Sequence, residues 1–376
     1  MTRPAAKGWC PGAYQPMMSG DGLVVRVRPV MARISRDQAL GLCDLAMRFG
    51  SGLMDLTSRA NVQIRGVSEG DHEALLEALN GLGLLPDDPD LEARRNVLVA
   101  PDWVAGDDTD VLARQLLAQL GELPDLPAKF GFAVDCGAAP VLGGCSADIR
   151  IERAADGLIV RADGAALGRA VSVDTAVDRA IALARWFADS KDAATKRMKR
   201  HIAETPLPAE WGQHAALPAR EPLTAGAHTL GAVYGAAFGQ IEAAQLSDLI
   251  KDSGCRALRV TPWRLFLTEG AAPVNKTAFV TRADDPLLNI DACPGAPLCG
   301  SASIETRALA ASLAGRTPLS IHLSGCSKGC ARPRAAEITL VGRDGVFDLV
   351  RNGTPWEEPV EMGLTPKEIT DRIGEF

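Results

Sequence analysis

Four cysteines near the C-terminus stand apart from the other five. Cys293 and Cys299 lie in Asp291-Ala-Cys-Pro-Gly-Ala-Pro-Leu-Cys-Gly300, and Cys326 and Cys330 in Ser324-Gly-Cys-Ser-Lys-Gly-Cys-Ala-Arg-Pro333. Thiolate is a soft ligand, and four thiolates at tetrahedral corners suit either zinc or an iron–sulfur cube. Both segments are rich in glycine and proline, which leaves backbone N–H groups bare toward cluster sulfides and lets the chain wrap a bulky anion. Structural zinc sites favour gaps of roughly two to four residues on tight knuckles. The wider gap between Cys293 and Cys299 therefore favours the cube, with zinc and uncoordinated thiols as the alternatives. Cys10, Cys43, Cys136, Cys145 and Cys255 are scattered and read as small buried hydrophobes.

Nine cysteines are an odd number and too sparse for a disulfide scaffold in 376 residues, which points to a reducing compartment. The net charge of −7 repels nucleic acid and anionic membranes, so any anionic ligand needs a local basic pocket. No apolar run is long enough to span a membrane, and no apolar stretch follows the charges of Met1 to Lys7. The expectation is a cytoplasmic protein with neither nucleic acid nor membrane as partner.

The elements that must position the cysteines repeat. Gly22 to Pro29 reads as an alternating strand, and Ser35 as the N-cap of an amphipathic helix from about Arg36 to Phe49. Gly50 ends that helix, and a second strand stops at Gly66. At an offset of 204 the pattern returns: Leu246, Asp248, Leu249, Gly254, Leu258, Thr261 and Gly270 fall on Leu42, Asp44, Leu45, Gly50, Met54, Thr57 and Gly66. Arg95-Asn96-Val97 before Ala100-Pro101 resembles Leu288-Asn289-Ile290 before Cys293-Pro294. Ala147 to Ile151 with a turn at Gly157 resembles Ala336 to Leu340 with a turn at Gly345. Each copy ends in a helix, the first over about 175–202 and the second opening with the capping box Thr365-Pro366-Lys367-Glu368.

The fold class predicted is α+β, in two pseudo-twofold-related halves. The boundaries are 1–85 for a first ferredoxin-like half-domain, 86–204 for a larger α+β domain and 205–225 for a Pro-rich linker. A second half-domain covers 226–280, and a second α+β domain carrying the cysteines covers 281–376. Thr57 should then lie over Thr261, and Asn96 over Asn289.

The pair Cys-x5-Cys and Cys-x3-Cys, the second inside Gly-Cys-x-x-Gly-Cys-Ala-Arg, resembles the cluster motif of the sulfite and nitrite reductases, which also consist of two repeated halves. The resemblance spans nearly the whole chain and implies a 4Fe–4S cluster on Cys293, Cys299, Cys326 and Cys330. In those reductases siroheme lies between the halves, gripped by arginines and lysines. Thr57-Ser58-Arg59, Arg95-Asn96-Val97 and Leu126-Pro127-Ala128-Lys129-Phe130 resemble the segments that supply them, so the resemblance implies that Arg59, Arg95, Asn96 and Lys129 bind substrate. Arginine's planar fork suits the carboxylate arms of a tetrapyrrole. The family's second lysine is Gly131 here. Losing it strips charge stabilisation from oxyanion reduction, and Gly131 should leave room in the pocket where the reductases place an ammonium.

One oxygenase branch of the superfamily has that profile: it converts precorrin-3A to precorrin-3B in aerobic cobalamin biosynthesis. Its opening resembles Gly8-Trp9-Cys10-Pro11, Ser19-Gly20-Asp21-Gly22 and Val25 to Pro29, and Lys129 to Asp135 also fits. The resemblance implies O2-dependent hydroxylation of the meso carbon between rings A and D, then lactone closure by a ring-A acetate. It implies a mononuclear non-haem iron and an external, NADH-linked electron donor. No ligands of that iron and no catalytic residue are assigned; His201, His214, His228 and His322 are candidates by chemistry only. No Gly-x-Gly-x-x-Gly follows a strand, so the nicotinamide should bind elsewhere. The alternatives are a siroheme-dependent sulfite or nitrite reductase, and a non-catalytic iron–sulfur electron carrier or zinc-stapled binding protein.

Overall fold

The structure, a computed structural model, describes residues 11–376; Cys10 and the Gly8-Trp9-Cys10 opening lie outside the described residues. In the first half, strands Met17–Ser19, Gly22–Val27, Leu53–Leu56 and Val62–Val67 form an antiparallel sheet. Helix Arg36–Phe49 crosses it and buries Ala39, Leu42, Cys43 and Ala46, one face at helical spacing. Ser35 starts the helix because its hydroxyl accepts from Gln38 N while the Gln38 side chain accepts from Ser35 N. The second half repeats the unit with strands Gly226–His228, Gly231–Gly235, Ala257–Val260 and Leu265–Glu269 and helix Ala243–Ser253.

Each half completes the other's sheet. Strand Arg33–Ser35 of the first half pairs with Ala257–Val260, and strand Gln240–Glu242 of the second pairs with Leu53–Leu56. The exchange is sealed by matched backbone bonds, Arg36 N to Arg256 O at 3.0 Å and Ala243 N to Gly52 O at 2.9 Å. Leu42, Leu246, Leu249 and Leu258 join one hydrophobic cluster, so the half-domains share a core.

Two mixed sheets make up the larger units. Val97–Val99, Phe132–Asp135 and Ile149–Ala154 run parallel, and Gly157–Ala162 and Leu167–Val171 extend the sheet antiparallel. Ile290–Ala292, Ile321–Ser324 and Ala336–Arg343 run parallel in the same way, extended by Val346–Gly353 and Glu361–Leu364. The helix predicted over 175–202 is two helices, Ala176–Ser190 and Met198–Glu204. Lys191 turns extended, and the second helix folds back so that His201 meets Ser190, Trp186 and Phe187. The stretch 205–225 runs along the first mixed sheet: Trp211 is buried, and His214–Ala215 pairs with Leu167–Val171.

The repeat persists in side-chain detail. The Thr57 hydroxyl accepts from Arg59 N and that of Thr261 from Trp263 N, both at 3.3 Å. The Asn96 amide donates to Phe130 O at 2.7 Å, and that of Asn289 to Pro318 O at 3.2 Å, each just before the next parallel strand. At two paired positions the charges are exchanged. Arg65 binds Asp55 in the first half, whereas Glu269 binds Arg259 in the second, each 204 residues on.

Glu269 also takes a bidentate contact from Arg33 on the exchanged strand, at 2.9 and 3.1 Å. That hydrogen bond, and then those from Arg259, hold its carboxyl down at about 2 against the burial that opposes them. A carboxylate depressed on folding stabilises the native state above its ordinary pKa, and the contribution is lost as pH falls through the folded value. The exchanged strand should therefore loosen between about pH 4.5 and about 2. Urea midpoints across that window should fall steeply for the native chain. A Glu269→Gln variant should start less stable at neutral pH and fall less.

Candidate functional site

The cysteine loops leave neighbouring parallel strands at the same end. Cys293 directly follows Ile290–Ala292, and Cys326 follows Ile321–Ser324, its partner in parallel register. Parallel pairing puts both strand exits together, which a sequence separation of about thirty residues does not reveal. Cys293 N continues the ladder to Leu323 O at 3.2 Å, and Gly325 N donates to Cys293 Sγ at 3.1 Å. Gly325 is required: a Cβ there would meet Ala302 Cβ at 2.6 Å and Cys293 Sγ at 3.5 Å. Gly295 and Gly329 turn the two loops with φ of 68° and 63°.

Cys293 and Cys330 feel the charge of the neighbouring thiols. Burial pushes Cys293 up, the N–H groups of Gly325 and Gly295 pull it down, and Cys299 and Cys326 raise it again. Cys330 is exposed to solvent, yet the protein around it desolvates its thiol. Desolvation raises it first, then Cys293, Cys326 and Cys299, with Lys328 opposing. By contrast, burial drives Cys43 and Cys136 up to about 12, with Asp135 and Asp108 adding to it at Cys136, the behaviour of inert core thiols.

Arginines lock the loops together. Arg264 pairs with Asp291 and donates to Ala331 O at 2.8 Å, beside Cys330, while Arg332 donates to Asp291 at 2.9 Å. His322, on the strand leading to Cys326, is fully buried, and burial pushes it down to about 4, aided by Arg264 and Arg332. Neither of its ring nitrogens has a hydrogen-bond partner among the described residues. No motif or spacing points to Arg264, which enters from the second half-domain.

Three of the four residues assigned to substrate binding come together. Arg59 Nη2 donates to Lys129 O at 3.0 Å and to Ser146 Oγ at 3.4 Å, and Asn96 holds the carbonyl of the adjoining Phe130. Arg197, which sequence reasoning missed, joins them: it donates to Ser146 Oγ at 3.1 Å and pairs with buried Asp148 at 2.9 Å. Arg95 is turned elsewhere. Its Nη2 donates to Arg28 O at 2.7 Å and Leu84 O at 3.4 Å, and burial lowers its pKa.

Gly131 does not leave the room expected of it. Its N–H donates to Asp148, and a Cβ would lie 2.7 Å from Asn96 Nδ2 and 2.9 Å from Asn96 O. The side chain that would occupy a lysine's path is Asn96, pinned by Phe130. Gly131→Ala should cost about 1–3 kcal/mol by overpacking. Adding Asn96→Ala should recover only part, because the backbone oxygen stays; thermal unfolding of the native chain and the two variants checks this.

The candidate histidines are dispersed. His201 packs on Trp186 and Phe187, His214 is exposed on a short strand, His228 Nδ1 accepts from Leu230 N, and His322 is buried. Among the described residues no three His, Cys, Asp or Glu side chains close on the point a single metal ion would occupy, the four cysteines included. No helix among them is long and apolar enough to cross a membrane.

Residues 15–82 match the nitrite/sulfite reductase ferredoxin-like half domain. The chain is 31% identical to a precorrin-3B synthase of Sinorhizobium sp., over 98% of this chain and 86% of that protein. It is 22% identical to a ferredoxin–nitrite reductase of Leptolyngbya laminosa, over 89% and 79% of the two chains. The fold matches the structure of the NirA protein of Mycobacterium tuberculosis with a TM-score of 0.67 at 18% identity, over 93% of this chain and 79% of that one.

Proposed function

Because the chain belongs to the precorrin-3B synthase family, within the nitrite and sulfite reductases, we propose that it hydroxylates precorrin-3A with dioxygen and closes the lactone of precorrin-3B. The observation that carries this is the near-full-length match to the Sinorhizobium enzyme, which takes in both halves and both cysteine loops.

Family membership makes it an oxidoreductase of cobalamin biosynthesis in a family that binds iron–sulfur clusters. Cys293, Cys299, Cys326 and Cys330 are the residues that would hold a 4Fe–4S cluster. The charges of the other thiols bear on Cys293 and Cys330, and backbone N–H groups donate to Cys293, a soft donor set chemically suited to a cube. Bound there, the cluster supplies electrons one at a time.

The chain's own groups provide the rest. Arg59, Arg197 and Lys129 are cations for the acetate and propionate arms, and burying a polyanion in a protein of net charge −7 demands them. Arg264 and Arg332 hold the two cysteine loops at fixed separation. Hydroxylation places one oxygen atom on the substrate and reduces the other to water with two electrons from an external, NADH-linked donor. Among the described residues no cage of three His, Cys, Asp or Glu side chains awaits a mononuclear iron.

Siroheme-dependent sulfite reduction is the competing reading. The absence of a lysine at Gly131, with Asn96 in its path, speaks against it. The test is mass-spectrometric: protein purified without air, given precorrin-3A, a reductant and dioxygen, should yield a product one oxygen heavier. Sulfide from sulfite in the presence of siroheme, with no oxygenated tetrapyrrole, would reverse the assignment.

A further inference from the structure

The loop between Cys293 and Cys299 is held from the far end of the sequence. The turn after Met17–Ser19 docks on it, and one carbonyl, that of Leu298, collects three donors: Ser19 Oγ at 2.6 Å, Arg65 Nη2 at 2.8 Å and Gly20 N at 3.2 Å. Leu298 is the residue before Cys299. Arg65 is almost fully buried, and its charge is balanced by Asp21 at 2.8 Å and Asp55 at 3.1 Å. Asp55 extends the chain of charges to Arg307, at 2.7 Å, in the helix that follows the loop. Thr306, next to Arg307, returns to the Cys293 carbonyl. Arg307 keeps Nε and Nη1 buried and without a hydrogen-bond partner among the described residues.

The opposite half shows what this arrangement adds. The residue 204 on from Arg65 is Glu269, which accepts from Arg33 and Arg259 and grips no loop carbonyl. Arg259, the counterpart of Asp55, takes the carbonyls of Pro101 and Trp103 instead, in a loop that carries no cysteine. The two halves share backbone geometry at these positions and differ in charge. Only the arrangement with Arg65 puts a guanidinium on the segment between two cluster cysteines.

We propose that Arg65 is the positioning residue of the cluster loop. Through the Leu298 carbonyl it fixes Cys299 relative to Cys293, and it keeps Asp21 and Asp55 neutralised on the cluster side, carboxylates that its loss would leave unbalanced. An arginine suits the task because its planar fork grips Asp21 bidentately while also serving Asp55 and Leu298, a spread that the point charge of an ammonium does not reproduce. The inference rests on the reading that these cysteines hold a cluster.

The full chain, reconstituted anaerobically with iron and sulfide, tests it in three variants: Arg65→Gln, Arg65→Lys and Ser19→Ala. Readouts are the rate of iron loss to a chelator, the paramagnetic resonance spectrum of the reduced cluster, its midpoint potential and the far-UV circular dichroism. Arg65→Gln should keep its secondary structure, lose iron about 10–100-fold faster and move the potential to more negative values. Arg65→Lys should restore the potential more than the retention, since it keeps the charge and loses the fork. Ser19→Ala removes one donor and leaves the ion pairs, so it should speed iron loss by a smaller factor, and it serves if Arg65→Gln fails to fold. Native protein that takes up no cluster would remove the underlying reading and this inference with it. A native cluster whose retention, spectrum and potential are unchanged in the Arg65 variants, or in Ser19→Ala should Arg65→Gln not fold, would overturn the role of Arg65 alone.

Discussion

Serine at any one of positions 293, 299, 326 or 330 will reduce bound iron to background and bleach the visible absorption of anaerobically purified protein. The exchange replaces a soft, ionisable sulfur by a hard and poorly ionised hydroxyl. The effect should be nearly complete at each position, because the loops leave adjacent parallel strands and the other thiols bear on both Cys293 and Cys330. Oxygenation of precorrin-3A should vanish with the colour. Cys43→Ala and Cys255→Ala are the controls: both side chains are buried in the shared core of the half-domains. Each should cost about 1 kcal/mol of packing and leave the iron in place. About one zinc per chain and no iron in the native protein would be the contrary result.

A single methyl group at Gly20 will do comparable damage from nearly 280 residues away. An ideal Cβ there would lie 2.0 Å from Pro297 O and 3.2 Å from both Cys299 N and Gly300 N. The obstacles are backbone atoms, so no rotamer change relieves them. Either the turn lifts off the loop, taking Ser19 and Arg65 from the Leu298 carbonyl, or the loop itself is displaced. Gly20→Ala should destabilise the chain by about 3 kcal/mol, the upper part of the overpacking range, and should accelerate iron loss. Gly144→Ala, where nothing lies within 4 Å of the added carbon, should be neutral. Calorimetry and iron analysis on the pair decide it. Equal melting temperatures would mean that the turn and the loop do not touch in solution.

Much was legible in the sequence because it is written in neighbouring residues. Ser35 with Gln38 and Thr365 with Glu368 form their capping boxes within three residues, and the structure keeps both. The register of the repeat, from Gly50 and Gly254 to Gly66 and Gly270, survives because Gly50 and Gly254 end helices and Gly66 and Gly270 share a positive φ. The strand expected to stop at Gly66, however, is two strands, Leu53–Leu56 and Val62–Val67, the second running past that glycine. The α+β class follows from the same periodicities. The break in the helix predicted over 175–202 was hidden, because the second segment keeps helical spacing while it folds back on Trp186 and Phe187.

The sequence by itself determined the cysteine spacing, the two-fold repeat and the helix starts, all set by covalent distance and backbone hydrogen bonds within a turn. Only the tertiary structure decided which half completes which sheet, since Arg33–Ser35 and Gln240–Glu242 are short strands whose partners lie over 180 residues away. It also decided that Asn96 fills the space beside Gly131, that Arg95 turns inward, and that Gly20 and Arg65 close on the cysteine loop. Those outcomes depend on which buried charges and carbonyls meet when the halves pack. A side chain's type states what it can bind; its partner is chosen by packing that brings distant segments within about 3 Å.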